Sequence, residues 1–395
     1  MAKKLALLVA AMALVALAAA PGAVAAPGAA SRPSCRGGWS GTTTCALGPR
    51  EVIVVHSEIP FPTERFMRIG YTLAVWAFQD DGLDLRRIEI LDGRTGRTLQ
   101  VLSGGAIPAL YRAGEEQPPG SDPIVNDFLS IQLPIPLGQP LPAVVTHRLV
   151  FRDAGTGRSV VVKGGTFRPR TAEKPVVLQS PIRGRNLAFV NQSTNGYHFD
   201  VLMFMDGTIR EPEHFASDII AFDDLLRSMS AGDRGTNETY HVYDAPIHAV
   251  ADGTVVAVRD GFVENHGGTP NPAATFDTLD DYAGDYVILD IGGGRFAGYM
   301  HCRPGSFMVK TGDRVRAGDV LARVGNSGNS GGPHLHFQVT DRPTPFGGRG
   351  VPFVLEQYTK VGEFSGSPIS ATGIRTTPQV VRGAMMEETT AVDVP

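Results

Sequence analysis

Between residues 51 and 170 the chain reads as short apolar runs with a period of two, separated by turn residues. Val52-Ile53-Val54-Val55 is a β-branched run, Tyr71 to Phe78 is another, and Arg87-Ile88-Glu89-Ile90-Leu91 alternates before the turn cluster Asp92 to Arg97. His147 to Phe151 repeats this design ahead of Asp153 to Arg158, and Ser159 to Val162 follows. Successive side chains in a strand point to opposite faces, so the pattern predicts half-buried strands joined by tight turns. Several such strands in a row predict an antiparallel, immunoglobulin-like β-sandwich over 51–170. The stretch Pro118 to Pro142 is rich in proline and reads as irregular. No catalytic cluster appears here, and His56 and His147 read as strand or surface residues.

Residues 171–180 read as a linker, and a second all-β unit is expected over 181–362. Pro246 to Val258 forms a strand pair around Ala251-Asp252-Gly253. Tyr286 to Asp290 and Arg295 to His301 flank the turn Gly292-Gly293-Gly294. Val320 to Val324 and His334 to Thr340 are further strands, and Asp218 to Ser230 is the one candidate helix. Periodicity fades beyond, so 363–395 is expected to be a flexible tail. At the other end, Lys3-Lys4, the apolar run Leu5 to Ala20 and the small residues through Ala26 have the order of a secretory signal peptide over 1–26. The run is shorter than a spanning helix needs, so no stable membrane span is expected after its removal. Export would place the chain in an extracellular or periplasmic compartment, where Cys35 and Cys45 in the segment 27–50 can pair.

Composition narrows the picture further. Gly (47) and Pro (29) are in excess among 395 residues, which argues against long helices and for turn-linked strands. With 36 basic and 40 acidic residues the formal charge is −4, and no dense basic block is present. Binding to nucleic acid through phosphate neutralisation is therefore not expected. Three cysteines without Cys-x-x-Cys spacing exclude a cysteine-based zinc site, so any metal must rest on histidine and aspartate.

Gly331-Gly332-Pro333-His334-Leu335-His336-Phe337 is the sharpest chemical signal. On a strand His334 and His336 share a face, while Leu335 and Phe337 face a core, an arrangement suited to a metal or an acid–base pair. His198-Phe199-Asp200 repeats the spacing. A carboxylate and one or two imidazoles converging with His336 would make a tetrahedral zinc site with an open position. His301 ends a strand, and Cys302 after it is expected to point away from the site.

Residues 245–341 resemble the lysostaphin-type (LytM-like) zinc metallopeptidases, a family of peptidoglycan endopeptidases. The resemblance lies in Ala245 to Val256, Gly284 to Leu289, Gly298-Tyr299-Met300-His301, Val309 to Val315 and Val324 to Phe337, in that order. It implies a duplicated-hybrid (barrel-sandwich) β domain and a Zn2+ cofactor. It further implies that His336 and Asp200 bind the metal, and that His334 and His301 are catalytic. The family usually has His-x-x-x-Asp, which would place histidine at position 196, where this chain has Gly196. His198 then completes a set of His198, Asp200 and His336, with His241 ranked below it. His214, His248 and His266 read as surface or supporting residues. The implied activity is hydrolysis of peptide bonds in peptidoglycan stem peptides or cross-bridges. The alternative is a catalytically impaired relative that binds wall peptides or regulates another hydrolase. An extracellular adhesion or carbohydrate-binding protein of two sandwiches is the third reading, and it leaves His301, His334 and His336 without a role.

Overall fold

The computed structural model describes residues 50–56, 58–76, 78–112, 126–190, 197–205 and 208–395. The signal-peptide segment and the Cys35–Cys45 pairing lie outside them. The architecture is all-β. The first nine strands are β1 (Val52–Val54), β2 (Phe61–Pro62), β3 (Phe66–Trp76), β4 (Leu83–Asp92), β5 (Thr98–Ser103), β6 (Tyr111–Arg112), β7 (Asn126–Pro136), β8 (Val145–Asp153) and β9 (Ser159–Phe167). They form two antiparallel sheets, β1-β3-β7-β6 with β2 on β3, and β5-β4-β8-β9. Their facing sides share a core that includes Tyr71, Leu73, Ile88, Ile90, Leu129, Leu149 and Phe151.

The proline-rich stretch expected to be irregular contains β7, the longest partner of β3. Beyond Leu129, β7 has a neighbour on one side alone, so Pro134 and Pro136 cost no ladder hydrogen bond there.

The remaining strands are β10 (Val176–Leu178), β11 (Gly184–Val190), β12 (Met203–Met205), β13 (Thr208–Arg210), β14 (Ser217–Ala221), β15 (Pro246–His248), β16 (Gly253–Arg259) and β17 (Tyr286–Asp290). They continue with β18 (Phe296–Met300), β19 (Arg314–Val315), β20 (Val320–Arg323), β21 (Leu335–Thr340), β22 (Phe353–Ser365), β23 (Thr372–Ala384) and β24 (Thr390–Val394). Eleven of them make one sheet in the order β10-β22-β24-β11-β14-β21-β18-β17-β16-β19, with β23 paired to β22. The β10–β22 pair is parallel. One face packs on a core of Phe189, Ile219, Val287, Leu289, Tyr299, Leu335, Phe337 and Val339.

Three boundary expectations are corrected. Residues 176–178 of the proposed linker are a strand of this sheet. The candidate helix from Asp218 begins instead as strand β14, whose five residues are all buried. Ile219 serves the main core and Ile220 a second cluster on the opposite face, with Phe222 and Phe364. A strand buried on both faces reads as a continuous apolar run, which periodicity alone cannot tell from a helix. The expected flexible tail carries the end of β22 and all of β23 and β24. Ala391 and Val392 of β24 are fully buried between β22 and β11.

Candidate metal centre

The site forms where β14, β21 and the end of β18 lie side by side. Asp218 on β14 is directly opposite His336 on β21, and Met300 on β18 is opposite His336 from the other side. Alternation along β21 sends Leu335, Phe337 and Val339 into the core, so His336 and Gln338 share the other face. His334 precedes the strand and His301 follows β18. The fourth imidazole, His198, comes from the 3-10 turn Tyr197–Asp200.

Asp218 Oδ1 stands 3.2 Å from His334 Nε2, 3.2 Å from His336 Nδ1 and 3.5 Å from His198 Nε2. The rings of His198 and His336 have centroids 4.5 Å apart, and those of His301 and His334 4.8 Å. Ligand atoms of His198, Asp218 and His336 all fall within 4.8 Å of one another, the one such group among the described residues. Two imidazoles and a carboxylate are the donor set a zinc ion takes when a coordination position is left for water or substrate. The residues present therefore fit that ion.

Three rings are held by a hydrogen bond at one nitrogen, for His334 and His336 the one facing away from Asp218. His336 Nε2 donates to Gln338 Oε1 at 3.0 Å, and the Gln338 amide in turn donates to the Pro345 carbonyl at 2.6 Å. His334 Nδ1 donates to the Gly332 carbonyl at 2.7 Å, and His301 Nδ1 to the Ser327 carbonyl at 2.8 Å. His301 adopts a left-handed backbone conformation, φ 60°. A non-glycine residue there costs about 1–2 kcal/mol, a cost the surrounding bonds offset. Its own N–H donates to the Ala283 carbonyl. The loop bearing Ser327 comes this close because Gly284 (φ 63°) and Gly328 (φ 76°) meet back to back. A Cβ on Gly328 would lie 2.4 Å from the Gly284 nitrogen.

Electrostatics follow from burial and this one carboxylate. Burial opposes ionisation of Asp218, but the nearby imidazoles of His198 and His334 and hydrogen bonds from His334 and His336 hold it well below the usual carboxylate range. Burial lowers His198 to about 3 and His301 well below an ordinary imidazole. His334 and His336 are also buried, yet their contacts with Asp218 raise both, His336 to about 9.

His198, His301, His334 and His336 are thus brought together, and Asp218, missed in the sequence, is the carboxylate among them. The pairing of His198 with Asp200 rested on a strand, where residues two apart share a face. The segment is a 3-10 turn, so the strand alternation behind that pairing does not apply. The signal that identifies Asp218 was present as His214-x-x-x-Asp218, the spacing sought at Gly196. His214 itself does not join the cluster. It is 1% exposed, its ring lies 4.0 Å from that of Phe199, and its Nδ1 is 3.6 Å from Glu211. His241 and His266 are exposed, and His248 Nδ1 is bonded to the Gly318 carbonyl. Cys302 is buried in the main core as a free thiol.

Residues 238–347 match the family described as Peptidase family M23. The peptidoglycan DD-endopeptidase ShyA of Vibrio cholerae is 31% identical over 100 residues, which are 25% of this chain and 18% of that protein. Its relative ShyB, from the same organism, is 31% identical over 101 residues, 26% of this chain and 19% of that protein. The chain therefore spans under a fifth of the length of these curated relatives. Among solved structures, the catalytic domain of lysostaphin from Staphylococcus simulans is 26% identical, covers 29% of this chain and 76% of that one, and gives a TM-score of 0.18.

Proposed function

We infer, from a chain whose residues 238–347 form a domain of peptidase family M23, that this protein is a zinc-dependent endopeptidase acting on peptidoglycan peptides. The observation that carries the reading is Asp218 Oδ1 within 3.2–3.5 Å of three imidazoles on the face of the sheet opposite its main core. His198, Asp218 and His336 are the residues that would hold the metal. Bound there, zinc polarises a scissile carbonyl and acidifies water. The chain's own contribution is to place two bases beside that position. His334 presents Nε2 because Nδ1 is spent on the Gly332 carbonyl, so it can take a proton from attacking water. His301 presents Nε2 for the same reason, and it steadies the oxyanion or hands a proton to the leaving amine.

A three-residue donor set that needs no histidine at position 196 favours an active enzyme over the impaired, peptide-binding alternative. The signal-like first segment supports export, to the periplasm or beyond, where wall peptides are found. The strand division β1-β3-β7-β6 against β5-β4-β8-β9 supports reading the first unit as an immunoglobulin-like sandwich.

The test is metal content and hydrolysis of purified wall peptides by the mature protein. The wild type is expected to hold one zinc per chain and to release new amino termini from cross-linked peptides. His336→Ala and Asp218→Asn are expected to lose both properties, and Asp200→Asn to keep them. Hydrolysis that persists undiminished in His336→Ala would refute the assignment.

A further inference from the structure

The turn that supplies His198 does not belong to the peptidase sheet. It is seated on the other unit. Phe199, the next residue, is 3% exposed, and its ring edge lies against Gly70 in the middle of β3. A Cβ built on Gly70 would stand 2.8 Å from Phe199 Cε2 and 3.1 Å from Gln132 Nε2, so the sandwich strand leaves a notch one side chain deep for this ring. The hairpin that follows is anchored the same way. Leu202 packs on the sandwich core and Ile209, 3% exposed, is part of it. Met203 between them faces the opposite direction, towards Ala283, Met300 and Phe346 beside the site. Past the hairpin, Thr72 Oγ1 of β3 donates to Glu211 Oε1 at 2.7 Å.

We propose that Gly70 and Phe199 are positioning residues for the metal centre: the sandwich holds His198 in place, so the ligand set is complete only when the two units are docked through this notch. The inference rests on the zinc reading above. Asp218 and His336 are fixed by β14–β21 pairing within the peptidase sheet. His198 has no strand of its own; Phe199 beside it sits in the notch, packed against Gly70 and the ring of His214. Supporting residues one shell out from a metal commonly change its affinity about 10–100-fold when altered.

The experiment measures zinc affinity by chelator competition, together with the visible spectrum of the cobalt-substituted protein, on the full chain. Gly70→Leu and Phe199→Ala are each expected to weaken zinc binding about 10–100-fold and to change the cobalt spectrum, as loss of one imidazole requires. Gly70→Ala should show a smaller loss that Phe199→Leu, added to it, partly restores, because the smaller side chain still fills the notch but leaves room for the added methyl. Ile88→Val, in the core of the facing sheet, controls for general destabilisation and should leave both readouts unchanged. Wild-type affinity and spectrum in folded Gly70→Leu would overturn the proposal. If that variant does not fold, the same result in Phe199→Ala would do so. A wild-type protein that takes up neither zinc nor cobalt would instead overturn the metal reading and this inference with it.

Discussion

His336 offers Nδ1 to the site because Nε2 is engaged by Gln338, and Gln338 is oriented by the Pro345 carbonyl. A neutral imidazole carries one ring proton, and a fixed acceptor decides which nitrogen keeps it. Gln338 is 1% exposed, so water cannot replace it. Gln338→Leu is accordingly expected to weaken zinc binding about 10–100-fold without unfolding the protein, and Gln338→Glu to retain it. Chelator competition on the two variants checks this. Such supports were not legible in the sequence, since Gln338 carries no motif and acts through a neighbour two residues away. The pair His334 and His336 was legible from the spacing at the start of β21, which places His336 on the strand and His334 one residue before it. His198 and Asp218 meet through a turn and a strand that are not adjacent in the chain, so spacing alone pointed to Asp200.

At the scale of elements, strands with one solvated face were readable and strands with two covered faces were not. β4 and β8 alternate between buried and exposed positions, and the pattern shows it. β14 is buried throughout and resembled the start of a helix. β23 is exposed along most of its length and resembled a loop, although it pairs with β22 on both sides of a bulge. β24 is the most consequential of these. Its five residues lie between β22 and β11, with Ala391 and Val392 fully buried and Val394 nearly so. Each valine contributes about 1.5–3 kcal/mol of apolar burial, and the ladder bonds on both sides go with them. Removal of residues 387–395 is expected to abolish soluble folding, or to lower the melting temperature by well over 10 °C, as read by thermal unfolding. A dispensable tail would leave it unchanged.

Across the whole molecule the two units exchange side chains. Phe61 of the sandwich is buried in the core beneath the large sheet, and Ile209 enters the sandwich core. Ion pairs Lys360–Glu64 and Arg68–Glu387 flank the junction at 2.8 Å each. Within it lies Glu58, 2% exposed. Burial raises it to about 8; Arg349 and Arg170 oppose the rise, and Glu211 and Asp341 reinforce it. An acid whose folded value lies above its unfolded value keeps a proton that the unfolded chain releases. Its contribution to stability is therefore full below about pH 4.5 and is lost as pH rises towards 8. Glu58→Gln should remove that slope and stabilise the protein at pH 7 by about 2–3 kcal/mol, measured as the difference between denaturation curves at pH 5 and pH 8.

The place of β24 also sets an order of events during synthesis. Ala188, met early, pairs with Ala391, met some two hundred residues later. Until the ribosome has delivered residues 390–394, β11 and β22 stand as open edges with apolar faces, and contacts this distant in sequence are slow to form. The sandwich can close from residues already made, whereas the large sheet must wait. A nascent chain thus stays without the finished large sheet, and without the carboxylate–imidazole cluster that the sheet carries, for most of its elongation.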